Sequence, residues 1–163
     1  ATGGTTPFVI GALELARQMG AGTGFLLCTA EADVDMEVDV IIPVVVGPEV
    51  ITGSTRMKAG TATKLVLNMI STTTMVQLHK TYSNLMVDLT ALNDKLWDRG
   101  SRIIAELTGR DYDAALALLK EADGEVKAAL VMHHQGVSLT EAHQSLAAAR
   151  GDLRRVLEWE EER

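Results

Sequence analysis

The chain has 163 residues, of which 47% are hydrophobic and only 4% aromatic, and its formal net charge is −7. This length suits one medium domain, or one domain with a small appendage, and the charge argues against a nucleic-acid-binding surface. A single cysteine, Cys28, excludes an internal disulfide, and no apolar run approaches the roughly 18 residues of a membrane-spanning helix.

Ala1-Thr2-Gly3-Gly4-Thr5-Thr6-Pro7 is a loop of hydroxyls and glycines. It carries neither an initiator Met nor a signal-peptide pattern, so sequence upstream and a cytoplasmic location are both expected. Phe8 to Met19 reads as a helix with Val9, Leu13 and Ala16 on one face. Thr6 is its expected N-cap, and Pro7 sits at the first helical position, where proline is favoured. Such a loop before a helix suits a phosphate cradle, and equally a flexible start with a good cap. Gly20 to Gly24 is a turn, and Phe25 to Thr29 a buried strand in which Cys28 reads as a structural thiol. Ala30 to Glu37 is an acidic loop or short helix. Val38 to Val46 is a second strand, with Pro43 marking an edge or an end. Helix, strand, short element and strand make half of a parallel sheet with helical crossovers.

The stretch from Val46 to Lys64 holds the densest set of small, hydroxyl and charged residues. Gly47-Pro48 is a turn signal. Ser54 or Thr55 is the expected cap of the next helix, whose free N–H groups and partial positive charge suit an anion. Arg56 and Lys58 add cationic donors, and Glu49 is the carboxylate just before the loop. A plain capped helix with surface charges accounts for the same residues. This is not a Walker loop, because Gly53 and Gly60 stand seven apart and no Gly-Lys pair follows.

The following helix is expected from about Thr55 to Lys80, apolar on nearly all faces and therefore buried, with a partner subunit or another segment on one side. Ser71 to Thr74 soften it with hydroxyls that can bond back to carbonyls. Tyr82-Ser83-Asn84 is the expected cap of a helix from about Leu85 to Leu107, striped by Leu85, Leu89, Leu92, Leu96 and Ile103. Asn84, Asp88, Asn93 and Lys95 read as structural polar residues near it.

From Gly109 the chain repeats itself. Gly109, Ala115, Leu119, Ala122, Gly124, Val126, Ala129 and Leu130 match Gly136, Ala142, Leu146, Ala149, Gly151, Leu153, Val156 and Leu157, each pair 27 positions apart. Each unit reads as helix, glycine turn, helix, and together they suit a small bundle. His133, His134 and His143 lack the Cys or paired carboxylates of a metal site, so none is expected. Glu160-Glu161-Glu162 reads as a solvated tail.

Three segments carry a resemblance: Gly47 to Ala62 (GPEVITGSTRMKAGTA), Lys64 to Met69 (KLVLNM) and Asn84 to Asp88 (NLMVD). They resemble the signature of bacterial N-acetylmuramic acid 6-phosphate etherases, of which the glucokinase regulatory protein is a distant relative. The loop before Thr6-Pro7-Phe8-Val9-Ile10 is similar to the family's second sugar-phosphate loop. Here Gly3 stands where Ser is usual and Thr5 where Arg or Thr is usual, so Thr2, Thr5 and Thr6 are expected to compensate. The resemblance implies an α/β fold: part of a three-layer αβα parallel sheet of the sugar isomerase (SIS) type, followed by a small all-helical region. On that reading residues 1–100 are the C-terminal half of a sugar-phosphate-binding domain, and residues 101–163 a helical region similar to ubiquitin-associated domains.

The family reaction cleaves a D-lactyl ether in cell-wall recycling, which needs a base for the proton α to a carbonyl-like carbon and an acid for the leaving group. The family's acidic pair lies in its N-terminal half, so no catalytic residue is expected on this chain. The resemblance assigns Thr2, Gly4, Thr5 and Thr6 to the phosphate, Glu49 to sugar hydroxyls, and Ser54, Thr55 and Lys58 to the wall of the site. It implies a phosphorylated amino sugar as ligand, a homodimer, and no cofactor, metal, nucleic acid or membrane. The alternative is a non-catalytic sugar-phosphate sensor like the regulatory protein. A third reading is a dimer-forming fragment that binds nothing alone.

Overall fold

The computed structural model describes residues 2–30 and 37–158. The chain divides into two compact units, Ala1–Ser71 and Thr72–Arg163. The first unit opens with α1 (Pro7–Gln18), entered as the sequence suggests, with Thr6 extended at the N-cap and Pro7 at the start of the helix. The Thr6 side chain makes no capping hydrogen bond. α1 stops at Gly20, whose φ of +75° lets the Gly20 and Ala21 amides turn back onto the carbonyls of Arg17 and Ala16.

β1 (Gly24–Leu27) and β2 (Val40–Pro43) pair in parallel, Gly24 opposite Val40 and Leu27 opposite Pro43. β2 is shorter than the expected run, and Pro43, which has no N–H for a ladder, is its last residue. The register is locked by Thr23 and Asp39. The Thr23 N–H and hydroxyl donate to one Asp39 oxygen at 2.6 and 2.8 Å, and the Asp39 N–H returns to the Thr23 hydroxyl at 3.1 Å. Of the acidic stretch between the strands, residues 31–36 lie outside the described residues, as does the Glu160–Glu162 tail.

α2 (Lys58–Gln77) begins three residues later than expected, because residues 55–57 form a turn. Its expected burial is not found: Ala59 is its one buried residue, while Leu65 is 53% and Met69 63% exposed. The reason is width. Ala59 and Val66 join Leu26 and Cys28 in a small core, and two four-residue strands offer too little surface to cover a helix all round.

In the second unit, Tyr82-Ser83-Asn84 caps no helix. It turns a short hairpin of β3 (Thr81–Tyr82) and β4 (Leu85–Met86), with Ser83 at φ +52°. The helix expected from Leu85 begins only at Asp94. α3 (Asp94–Thr108) is capped by Asn93, whose side chain accepts the Leu96 N–H at 3.1 Å. The preceding segment alternates instead: Val87, Leu89 and Ala91 are buried, and Asp88, Thr90 and Leu92 are exposed. That is the period of extended chain, and Leu89 and Ala91 bond to the backbone of Val126 and Gly124.

The repeat is carried into three dimensions. α4 (Tyr112–Glu121), α5 (Val126–Gln135), α6 (Leu139–Ala148) and α7 (Leu153–Glu158) start in pairs 27 residues apart. So do the caps: Asp111 and Ser138 open α4 and α6, and Gly109 and Gly136 precede them at φ +69° and +65°. Asp123 and Arg150 hold φ +52° and +56°, and Gly124 and Gly151 hold +81° and +78°. Ala115, Leu119, Ala122, Val126, Ala129, Ala142, Leu153 and Val156 are buried together around Ile104 of α3 and Val87.

Candidate functional site

The first unit holds a cleft of about 240 Å³ lined by Thr2, Cys28, Val46, Gly47, Pro48, Glu49, Thr52, Gly53, Thr55 and Ala59. Three chain segments build it. The entry loop arrives because the Cys28 N–H, just past β1, donates to the Thr2 carbonyl at 3.0 Å. The chain leaving β2 supplies Val46 to Glu49, turning at Gly47, where φ is +70°, and beyond them Thr52, Gly53 and Thr55. The start of α2 supplies Ala59.

Of the residues singled out from the sequence, Thr2, Glu49 and Thr55 meet in this cleft. Lys58 stands at its edge, its Nζ donating to the Pro48 carbonyl at 2.9 Å. Gly4 is buried at φ +83°, while Thr5 and Thr6 are exposed; none of these three lines the cleft. Ser54 is half-buried, its N–H bonded to the Ile51 carbonyl at 3.0 Å, and it lies outside the lining too.

Neither Ser54 nor Thr55 caps α2. Glu49 reaches across the loop instead: one oxygen accepts the Lys58 N–H at 3.0 Å, the other the Ala59 N–H at 3.1 Å. Ser54 precedes the three-residue turn 55–57 and Thr55 opens it, so both stand too early to serve. The two N–H groups hold the Glu49 carboxyl below the usual carboxylate range, and the Lys58 ammonium adds to them against a burial penalty. Each carboxylate oxygen accepts one of these bonds and has capacity for another.

The lining residues that sequence reasoning passed over are chiefly Thr52 and Cys28. Thr52 carried a signal, as a hydroxyl between Glu49 and Gly53. Cys28 carried none. Its thiol donates to the Ala59 carbonyl at 3.7 Å and lies 3.6 Å from the Thr63 hydroxyl, tying β1 to α2.

The histidines lie in the second unit, each engaged separately. Arg110 donates to His133 Nδ1 at 3.2 Å, His143 Nε2 meets Glu125 at 3.0 Å, and His134 Nε2 meets the Leu157 carbonyl at 3.1 Å. Among the described residues, no three His, Cys, Asp or Glu gather as a metal would require, and no helix is long and apolar enough to cross a membrane.

No protein-family model matches the chain. Curated proteins do. It is 51% identical over 162 residues to the N-acetylmuramic acid 6-phosphate etherase of Salinibacter ruber, covering 99% of this chain and 52% of that protein. It is 49% identical over 158 residues to the enzyme of that name from Salmonella paratyphi B, covering 97% of this chain and 53% of the relative. With the Yersinia pestis protein of that name, identity is 50% over 157 residues, covering 96% of this chain and 53% of the relative. The chain thus spans about half the length of the curated relatives it matches. By sequence it is a relative of the N-acetylmuramic acid 6-phosphate etherases and corresponds to their C-terminal half.

Proposed function

We propose that this chain is the sugar-phosphate-binding portion of an N-acetylmuramic acid 6-phosphate etherase, a carbon–oxygen lyase of cell-wall amino-sugar recycling. The reaction cleaves the D-lactyl ether, with net uptake of one water, to N-acetylglucosamine 6-phosphate and D-lactate. The observation that carries the reading is the 51% identity to a curated etherase over 99% of the chain. The cleft supports it, since Thr2, Thr52 and Thr55 line it together with Glu49.

In this reading Thr2, Gly4, Thr5 and Thr6 hold the phosphate through backbone N–H groups and hydroxyls. Glu49 accepts from sugar hydroxyls with its remaining lone pairs. Ser54, Thr55 and Lys58 complete the wall. The proton-transferring acid and base belong to residues outside this chain, and no cofactor takes part. Residues 1–100 are the C-terminal half of a SIS-type domain, and residues 101–163 a region similar to ubiquitin-associated domains. The apolar side chains that α2 leaves exposed support a homodimer. The proposed location is the cytoplasm.

Lys58→Ala tests the binding role. The substitution removes a charged donor, and a hydrogen bond to a charged group contributes about 1.5–3 kcal/mol. Calorimetric affinity for N-acetylglucosamine 6-phosphate is expected to fall about tenfold or more. Unchanged affinity removes Lys58 from the site. D-lactate release by the 163-residue chain alone would overturn the assignment of the acid–base pair to residues elsewhere.

A further inference from the structure

We infer that Glu49 is a positioning residue: by bridging the Lys58 and Ala59 amides, its carboxylate holds loop 50–57 in the shape that lines the cleft and keeps a phosphate off that helix end. The consequence for ligand binding rests on the reading of the cleft as a sugar-phosphate site; the clip itself does not.

Three observations support this role. The two bonds are of the charge-assisted kind, at 3.0 and 3.1 Å, and they close a loop of eight residues. The reciprocal bond from the Lys58 ammonium to the Pro48 carbonyl, at 2.9 Å, ties the same two ends together. Apolar burial contributes little to holding the loop, since Val50 is 81%, Ile51 68% and Met57 53% exposed. Within the loop, the Ser54 N–H bonds to the Ile51 carbonyl, and the Thr55 carbonyl accepts from Gly60. These set local turns without joining Glu49 to Lys58. The shape of Thr52, Gly53 and Thr55 along the cleft therefore depends on Glu49.

The same geometry answers where an anion sits. Unpaired N–H groups and the dipole make a helix start attractive to phosphate. Here the first two amides of α2 are already used, and by a negative group. A phosphate in that place would meet like charge and lack those donors. A sugar phosphate is thus expected to turn its neutral, hydroxyl-bearing part to loop 50–57 and its phosphate away from it.

The test uses the full 163-residue chain as wild type, Glu49→Gln and Glu49→Asp. Amide hydrogen exchange at Lys58 and Ala59 is followed by 15N NMR without ligand. Calorimetric titrations with N-acetylglucosamine 6-phosphate and with inorganic phosphate run in parallel. In Glu49→Gln the two amides are expected to exchange at least about tenfold faster, with the α4 and α5 amides unchanged. Affinity for the sugar phosphate is expected to fall about tenfold and that for inorganic phosphate to hold, a split that general loss of structure would not produce. Glu49→Asp, one methylene short of spanning both amides, is expected to fall between, and it carries the test if the Gln variant fails to fold. Unchanged exchange at Lys58 and Ala59 overturns the proposal, as does faster exchange with intact sugar-phosphate affinity. If the wild type binds no sugar phosphate, the functional reading fails while the exchange data still decide the clip.

Discussion

Replacing Lys127 by methionine probes what holds the helical unit to the extended segment before it. Lys127 lies on α5 and is only 8% exposed. Its ammonium donates to the Gly151 carbonyl at 2.9 Å and meets Asp88 at 3.0 Å, and Asp88 also pairs with Lys80. Burial pushes the Asp88 carboxyl up, but the bonds from Lys80 and Lys127 outweigh it and leave the group below its usual range. Methionine keeps an unbranched apolar stem one atom shorter and removes the charge. Breaking a fully buried pair costs about 3–5 kcal/mol. Asp88 keeps Lys80, and its side chain is 32% exposed, so water takes over part of the lost bond. A loss of about 1–3 kcal/mol remains after that discount. Urea unfolding of the full chain, followed by far-UV circular dichroism, should show a midpoint lower by about 0.5–1.5 M at unchanged slope. The sign with pH follows from the depressed Asp88 value. Its contribution is complete above the ordinary aspartate pKa of about 3.9 and is lost as pH falls through the folded value, so the difference between the two proteins should narrow in strong acid to what the Lys127–Gly151 bond contributes. A change below about 0.5 kcal/mol at neutral pH, or a gain, would refute the reasoning, because an apolar substitute can match a buried ion pair.

Two positive-φ glycines of the helical unit differ in their surroundings. Gly124→Ala forces a side chain onto φ +81° and places its Cβ 3.3 Å from the Ala91 N and O, whereas Gly136→Ala, at φ +65°, meets open space. Both should destabilise by at least about 1 kcal/mol in thermal melts, Gly124→Ala by about 1 kcal/mol more; equal losses would show that the extended segment at Ala91 yields freely. His133 is held below its ordinary range by burial first, then by Arg110 and His134. Its native form thus binds fewer protons than the unfolded chain, and stability should decline as pH falls below about 6.5. His133→Gln should flatten that decline in pH-dependent urea titrations, and an unaltered profile would remove His133 as its source.

What the sequence reveals by itself is what acts within a turn or two of helix. Proline at the start of α1, the buried run of β1, the proline ending β2 and the 27-residue repeat were all legible, because caps, φ preferences and periodicity are local. Where two periods competed, the reading failed. Leu85, Leu89 and Leu92 fit a helical stripe, but the pairing of Leu89 and Ala91 with the chain at Gly124 and Val126 selected extended structure. The site was legible in part. The motif placed Glu49 and Thr55 near one another, and the tertiary structure added Thr2 through its bond to Cys28. It also moved the cap of α2 from the adjacent Ser54 and Thr55 to Glu49, nine residues before Lys58. Hydroxyls beside a helix start are a local signal, whereas a carboxylate arriving over a closed loop depends on where the loop's ends are held. Burial of α2 is a still less local property: its apolar sequence states that it needs cover, and only the packing surfaces around it decide how much it receives.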